Sequence, residues 1–375
     1  MVIAFALLLV VHGLIHLLGA AKAFGWADLP QLAQPISLAA GALWLASSAL
    51  FLATAIALLL WPRGWWLLGA IAIVLSMCVI VPAWTDARFG AVANAVVLVG
   101  VVFGFLARGP LSLRAEYERD IASRGAMPAS AVPISDADLD PLPAPVQRYL
   151  RFAGVVGQPR VHNYRVRMHG RIRNGRDGRW MALSAEQYNV VDPPARMFYL
   201  TASMFGIPVQ GYHRYVDAAA SMRVKAAALV PVVAAAGPEM TQGETVTLLN
   251  DMCLMAPATL VSPAVRWEAI DSRRAKAHFT NAGHTIQAEL WFDDASELRN
   301  FVSDDRYAAA SDGTMKRLRW STPIGGYRKY GRFRLIASGE GRWHEPDGEY
   351  AYIELTIDDV QYNVGPPRDA YGEFR

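Results

Sequence analysis

Charge is nearly missing from the first 107 residues of this 375-residue chain. The whole chain carries 36 lysines and arginines and 33 aspartates and glutamates, yet that stretch holds only Lys22, Asp28, Arg63, Asp86 and Arg88. A segment so poor in charge cannot supply the polar surface of a water-soluble domain. Cysteine is scarce too. The two present, Cys78 and Cys253, form no Cys-x-x-Cys unit, and Cys78 sits in an apolar run. That leaves no framework for a disulfide scaffold, a zinc site or an iron–sulfur cluster. The net charge of +3 is too small a basic surplus for nucleic-acid binding. The chain has no Gly-x-Ser-x-Gly elbow and no phosphate-cradling glycine loop, and beyond residue 107 it has no His-x-x-x-His or His-Glu-x-x-His pair. The common hydrolase, nucleotide and zincin motifs are therefore excluded, and no cofactor is expected.

Apolar residues fill the space that charge leaves. Four runs, 2–20, 36–60, 66–83 and 89–106, approach the roughly 20 residues that cross a bilayer as a helix. A charge at mid-helix costs about 2.5–3.5 kcal/mol, and the five charges fall in the gaps or at the ends of the runs. Trp26, Trp61, Trp65, Trp66 and Trp84 also lie near the ends, where an indole N–H stays hydrated. Residues 1–107 thus read as a four-helix transmembrane region of a multi-pass protein in the inner cell membrane. Arg63, Arg108, Arg114, Arg119 and Arg124 fall on one side and only Lys22 and Arg88 on the other, which predicts a cytoplasmic soluble domain.

Two features of this block invite a functional reading. His12 and His16 are four apart on one helix face; they are weak metal or haem candidates, set against a polar packing contact between helices. The turn from Trp84 to Gly90 places Trp84, Asp86, Arg88 and Asn94 near one end of the fourth helix. They form a candidate membrane-interface site, or simply a turn in which Asp86 caps the helix.

Residues 108–141 read as a juxtamembrane helix over 111–124 followed by a linker with Pro128, Pro133 and Pro141, whose proline density predicts an extended spacer. The soluble domain is expected over 142–364, with a tail at 365–375. It opens on a short helix in which Pro143 and Pro145 suit the first turn. After residue 160 the period becomes two: Tyr164, Val166, Met168, Gly170 and Ile172 alternate with Arg165, Arg167, His169, Arg171 and Arg173. This is a half-buried antiparallel strand with one basic face, suited either to solvent or to an anionic lipid surface. Further strands are predicted at 179–191, 197–202, 208–217, 220–230, 264–270, 274–280, 284–293, 297–304, 315–320, 328–337, 338–344 and 349–362. Helical spacing interrupts them between Gly243 and Ala256. The expected fold is a mainly antiparallel β (α+β) domain, a curved sheet or half-barrel with one packed helix.

Chemistry-bearing residues are dispersed. Asp304, Asp305 and His344 are fragments of an acid–base site at most. Aromatic and sulfur side chains are more suggestive: Tyr188, Met252, Met255, Trp267 and Trp291 are candidates to line an amphiphile pocket between sheet and helix, with ordinary core packing as the alternative.

At Leu142-Pro-Ala-Pro-Val-Gln-Arg-Tyr-Leu150, Glu186-Gln-Tyr188, Val265-Arg-Trp-Glu268 and the Trp84–Asn94 turn, the chain resembles an uncharacterised bacterial membrane-protein family. Its members join a short multi-span region to one domain of unknown function. The resemblance supplies no catalytic residues. The β-rich part is also similar in architecture to lipoprotein-carrier half-barrels, which implies acyl-chain binding under helices, although those carriers are periplasmic. The expected partners are the lipid bilayer and an amphiphilic small molecule. The alternatives are a sensor or assembly module that binds a protein, and an enzyme acting on a membrane-associated substrate.

Overall fold

The computed structural model describes residues 2–124, 132–309 and 314–365. Pro128 of the expected linker and residues 366–375 of the expected tail lie outside the described residues. The chain divides into two compact units between Glu116 and Tyr117.

The first unit is helical: α1 (Val2–Phe24), α2 (Leu38–Leu60), α3 (Trp65–Ile80) and α4 (Trp84–Arg108). Ser37 starts α2 by accepting the Ala40 N–H at 3.2 Å. Among the described residues three helices are long and apolar enough to cross a bilayer: α1, α2 and the one beginning at Trp84. The 16 residues of α3 span about 24 Å, short of the roughly 30 Å hydrocarbon core. Polarity runs inside out on α1. Leu7, Val11, Leu14 and Leu18 are exposed, while His12, Gly13, His16 and Gly19 are buried against neighbouring helices. Small residues let helices approach closely. A Cβ on Gly19 would stand 2.5 Å from the Trp44 ring.

The second unit is built on one 14-stranded antiparallel sheet. One run of strands is β1 (Asn163–Ile172), β2 (Met181–Val190), β3 (Ala195–Met204), β4 (Ile207–Val216), β5 (Ala219–Ala226) and β6 (Val230–Ala236). The other is β7 (Val265–Ala269), β8 (Arg274–Asn281), β9 (His284–Phe292), β10 (Leu298–Ala309), β11 (Met315–Ser321), β12 (Ile324–Tyr330), β13 (Phe333–Glu345) and β14 (Gly348–Tyr362). The first and last strands meet at the centre, giving the order β6-β5-β4-β3-β2-β1-β14-β13-β11-β10-β9-β8-β7, with β12 beside β13.

Curvature follows from one hydrogen bond. Nine inter-strand steps separate β4 from β8, which on a flat sheet would put them about 43 Å apart. Yet Asn281 Nδ2 of β8 donates to the Tyr215 hydroxyl of β4 at 2.7 Å. The sheet therefore curls until its two wings touch, and α7 (Pro238–Met255) fills the concavity, with 15 of its 18 residues buried. Nonpolar inward residues such as Val166, Leu183, Phe198, Phe279, Leu290 and Phe301 form one core with it.

Two short helices close the unit. Ala144 and Pro145 begin α6 (Ala144–Phe152) as the sequence predicts. The core also contains Ile134 and Leu139, so the proline-rich stretch from 132 is folded onto the domain: two buried aliphatic side chains outweigh the extended preference of its prolines. On the convex face lies α5 (Leu113–Ser123). Its Tyr117 ring meets those of Tyr199 and Tyr212 at 5.7 and 5.9 Å, and Asp120 accepts from Tyr212 (2.6 Å) and Arg214 (2.8 Å).

Candidate functional site

The helical unit holds a closed polar circuit. His12 Nε2 donates to Asn94 Oδ1 at 2.9 Å, and Asn94 Nδ2 donates to Ser76 Oγ at 2.8 Å. Ser76 Oγ is 2.8 Å from His16 Nε2, and His16 Nδ1 is 2.8 Å from the His12 carbonyl. A carbonyl only accepts, so His16 carries its proton on Nδ1 and takes the Ser76 hydroxyl proton at Nε2. The two imidazoles stand perpendicular at 4.7 Å, with Phe51 at 4.6 Å from His12. The circuit is a polar contact joining α1, α3 and α4; among the described residues no group of three or more metal-binding side chains exists. Asn94 belongs to this circuit and is buried, whereas Trp84 is exposed. Asp86 sits in the first turn of α4, and the residue preceding that helix, Ala83, makes no side-chain cap. Asp86 instead accepts the Gln34 N–H at 2.9 Å. Arg88 lies 5.3 Å over the Phe89 ring.

In the sheet unit the strongest concentration of buried charge lies where α7 crosses the concave face. Glu244 and Asp251, seven apart on one stripe of the helix, both face Arg196 of β3. Arg196 donates through Nε to Asp251 at 2.6 Å, through Nη1 to Glu244 at 3.0 Å and through Nη2 to Gln187 at 3.3 Å. Gln187 Nε2 donates to Asp251 at 2.7 Å. From the other wing Arg306 of β10 comes within 3.7 Å of Glu244 and donates to Thr247, while His213 Nδ1 is 3.7 Å from Glu244. Burial works against both carboxylates. For Glu244, Arg196, His213 and Arg306 together overcome it and hold the carboxyl well below its ordinary range. Asp251 has Arg196 alone among cations, so burial wins and its carboxyl is pushed up. Burial, then the nearby Asp251, also raises the Cys253 thiol. In a Cys78→Ser background maleimide should therefore label Cys253 only when α7 lifts, with native labelling at least about 100-fold slower than in urea.

Two donors beside this cluster have no acceptor. Arg306 Nε–H and Trp320 Nε1–H are buried without a hydrogen-bond partner among the described residues. The guanidinium lies 4.4 Å over the Trp320 ring and 5.5 Å from that of Trp343. From Thr247, which Arg306 contacts, α7 continues to Met252 and Met255, about 7 and 12 Å further along its axis.

The five sequence-derived pocket candidates divide. Met252, Met255 and the half-buried Trp267 belong to the core beneath α7. Tyr188 is buried on a strand whose neighbours Gln187 and Asn189 point to the opposite face, and its hydroxyl donates to the Val364 carbonyl at 3.1 Å. Trp291 is exposed, between the buried Leu290 and Phe292. Sequence reasoning does not single out Glu244, Asp251 and Arg196; Arg306 enters it only as the neighbour of Asp304 and Asp305, and Trp320 only as one of several strand aromatics. The available signal was a pair of acids seven apart on a helix without a basic residue, with a lone arginine in Ala195-Arg-Met-Phe-Tyr-Leu200.

The remaining candidates are engaged separately. Asp305 accepts the Gln287 N–H at 2.7 Å and pairs with Arg317, while Asp304 is 3.8 Å from Arg319. His344 lies 2.8 Å from Ser321 Oγ and 3.4 Å from Glu349, the order of a nucleophile, base and orienting acid. Ser321 is only 1% exposed, which keeps substrates from its hydroxyl. The basic face of β1 is matched by acids of β14: Arg171 makes a two-bond pair with Glu354 (2.7 and 2.8 Å), His169 meets Asp358 at 2.7 Å, and Arg167 is 3.7 Å from Asp359. Alternation in one strand reveals its charge but not the partner strand that neutralises it. An open groove of about 610 Å³ beside this ladder is lined by Arg171, Trp180, Ser338, Glu340 and Glu354.

Residues 132–355 match the model of a family of unknown function, DUF6544. The chain belongs to that family. No curated protein matches it. Solved structures similar to the DUF6544 chain include a LolA superfamily protein from Nitrosomonas europaea, at 12% identity and a TM-score of 0.30, covering 58% of this chain and 93% of that one. A DUF1329 family protein from Desulfovibrio piger is similar at 10% identity and a TM-score of 0.34, covering 59% and 93%.

Proposed function

We propose that this protein is a membrane-anchored module that holds one amphiphile with an anionic head between its curved sheet and α7. Four helices cross the inner membrane in this reading, the short α3 among them, and the sheet unit faces the cytoplasm. The observation that carries the binding proposal is the pair of unpartnered buried donors, Arg306 Nε–H and Trp320 Nε1–H. A buried donor without an acceptor costs about 1–3 kcal/mol, and a carboxylate or phosphate oxygen is the kind of acceptor each of them would take. The thioethers of Met252 and Met255 supply an adaptable apolar lining for the chain behind that head. Arg196 is fully committed to Glu244, Asp251 and Gln187, which leaves Arg306 as the recognising cation.

The test uses the full chain in detergent. Native mass spectrometry should find a co-purifying lipid, and a fluorescent fatty acid should bind one to one. Trp320→Phe removes the indole donor together with part of the ring, and should weaken probe binding by about 5- to 30-fold; because trimming a core ring also costs stability, binding is compared at a temperature where both proteins are folded. A folded wild-type protein that carries no lipid and binds no probe would end the proposal.

A further inference from the structure

Strand β6 has the sequence Val-Pro-Val-Val-Ala-Ala-Ala, forms one edge of the sheet and buries none of its residues. Exposed edges are normally blunted by charge; here only Pro231 interrupts the row. Its entry turn adjoins another apolar turn. The β3–β4 tip exposes Phe205 (77%) and Ile207 (44%), and the β5–β6 turn and edge expose Leu229 (61%), Val230 (54%) and Val232 (51%). The Ala227 N–H donates to the Pro208 carbonyl at 2.8 Å, so the two turns form one continuous apolar patch. Its rim is cationic. Arg179 lies 5.2 Å over the Phe205 ring, and Lys225 stands in register with Pro231. Neither Arg179 nor Lys225 is assigned an ion pair among the described residues.

Along α5, Tyr117 packs on Tyr199 and Tyr212, and seven residues later Arg124 pairs with Asp217 at the opposite turn of β4, at 2.9 Å. From Tyr117 onward α5 therefore runs away from the Phe205 tip and leaves it uncovered. Water-exposed Phe, Leu and Val with free cations at their border suit the interface of a bilayer, where rings and branched chains enter the acyl boundary and cations meet headgroup phosphates.

We propose that the β3–β4 and β5–β6 tips, with the β6 edge, insert shallowly into a bilayer containing anionic phospholipid. The insertion is a second membrane contact, independent of the helices and of the interior site. The test places an environment-sensitive fluorophore at Phe205→Cys in a Cys78→Ser full-length protein, reconstituted in nanodiscs of phosphatidylcholine with or without phosphatidylglycerol. With phosphatidylglycerol the emission should shift to the blue, and brominated acyl chains should quench it at least about twofold more than the same label at Ala219→Cys on the opposite turn. Lys225→Gln with Arg179→Gln should remove most of that difference, since each basic residue near an anionic surface contributes about a fivefold effect. Water-like emission from position 205 in both nanodiscs would overturn the proposal. So would a blue shift that brominated lipid does not quench, which would mean contact with another copy of the chain, and so would quenching indifferent to phosphatidylglycerol.

Discussion

Glu244→Gln is expected to destabilise the sheet unit by about 3–5 kcal/mol at neutral pH, the usual cost of removing one partner from a buried ion pair. The same charge removal at Asp251→Asn should cost about 1 kcal/mol. Both acids touch Arg196, but only Glu244 also faces Arg306 and His213. Without its charge, the cations from both wings are left buried with too little compensation. Calorimetry should show the melting temperature of Glu244→Gln lowered by about 10 °C, and that of Asp251→Asn by a few degrees. The pH dependence carries the sign. Glu244 has its folded pKa depressed, so its contribution is present above the unfolded value of about 4.3 and is lost as pH falls through the folded value. Wild type and Glu244→Gln should therefore converge in acid. Asp251 has its folded pKa raised; its contribution is greatest below the unfolded value of about 3.9 and declines as pH rises through the folded one. The gap between Asp251→Asn and wild type should consequently be smaller at neutral pH than in acid. Equal losses in the two variants at neutral pH would contradict this assignment.

Tyr117→Ala should release α5 from the sheet. Tyr117 is fully buried on the convex face between two tyrosine rings, and truncating a buried aromatic side chain costs about 3–5 kcal/mol. A single docked helix depends on few such contacts, so the loss is local. Hydrogen exchange across residues 117–123 should accelerate by at least about 100-fold, while β8–β10 stay protected. Asp120→Asn should give a smaller acceleration, since it weakens the bonds to Tyr212 and Arg214 and leaves the ring packing intact. If protection in α5 survives Tyr117→Ala, the helix is held elsewhere.

Sequence periodicity was a good guide wherever the periodic side chains pack on their own element's neighbours. Apolar runs located all four helices of the first unit, and alternation located most strands and the buried helix. It failed at turns that carry no turn residue. The predicted strand at 220–230 is two strands, because Ala227 and Ala228 both adopt positive φ (49° and 58°), a conformation usually left to Gly or Asn; β6 was invisible for that reason. A lone glycine was also passed over: the predicted strand at 328–337 is broken at Gly331 (φ 59°), and its second half runs on through 338–344 as β13. The site was harder still. Met252 and Met255 were legible as apolar residues of a packed helix, but the Arg196, Glu244 and Arg306 cluster joins residues from two wings and a helix. No local spacing records such a meeting, nor the acids of β14 that neutralise β1.

The central pairing of β1 with β14 orders the assembly of this unit. Each wing is a run of neighbouring strands that can zip from short loops, which is quick. The seam between them joins positions such as His169 and Asp358, 189 residues apart, and β14 is synthesised last. Until residues 348–362 have left the ribosome, each wing exposes a long central strand edge, a surface open to mispairing. By then α1 to α4 have already been made. On the proposed reading the anchor can be in the bilayer before the seam can close, so the final folding step of this domain would take place on a tethered chain, where its unfinished edges would meet fewer copies of themselves.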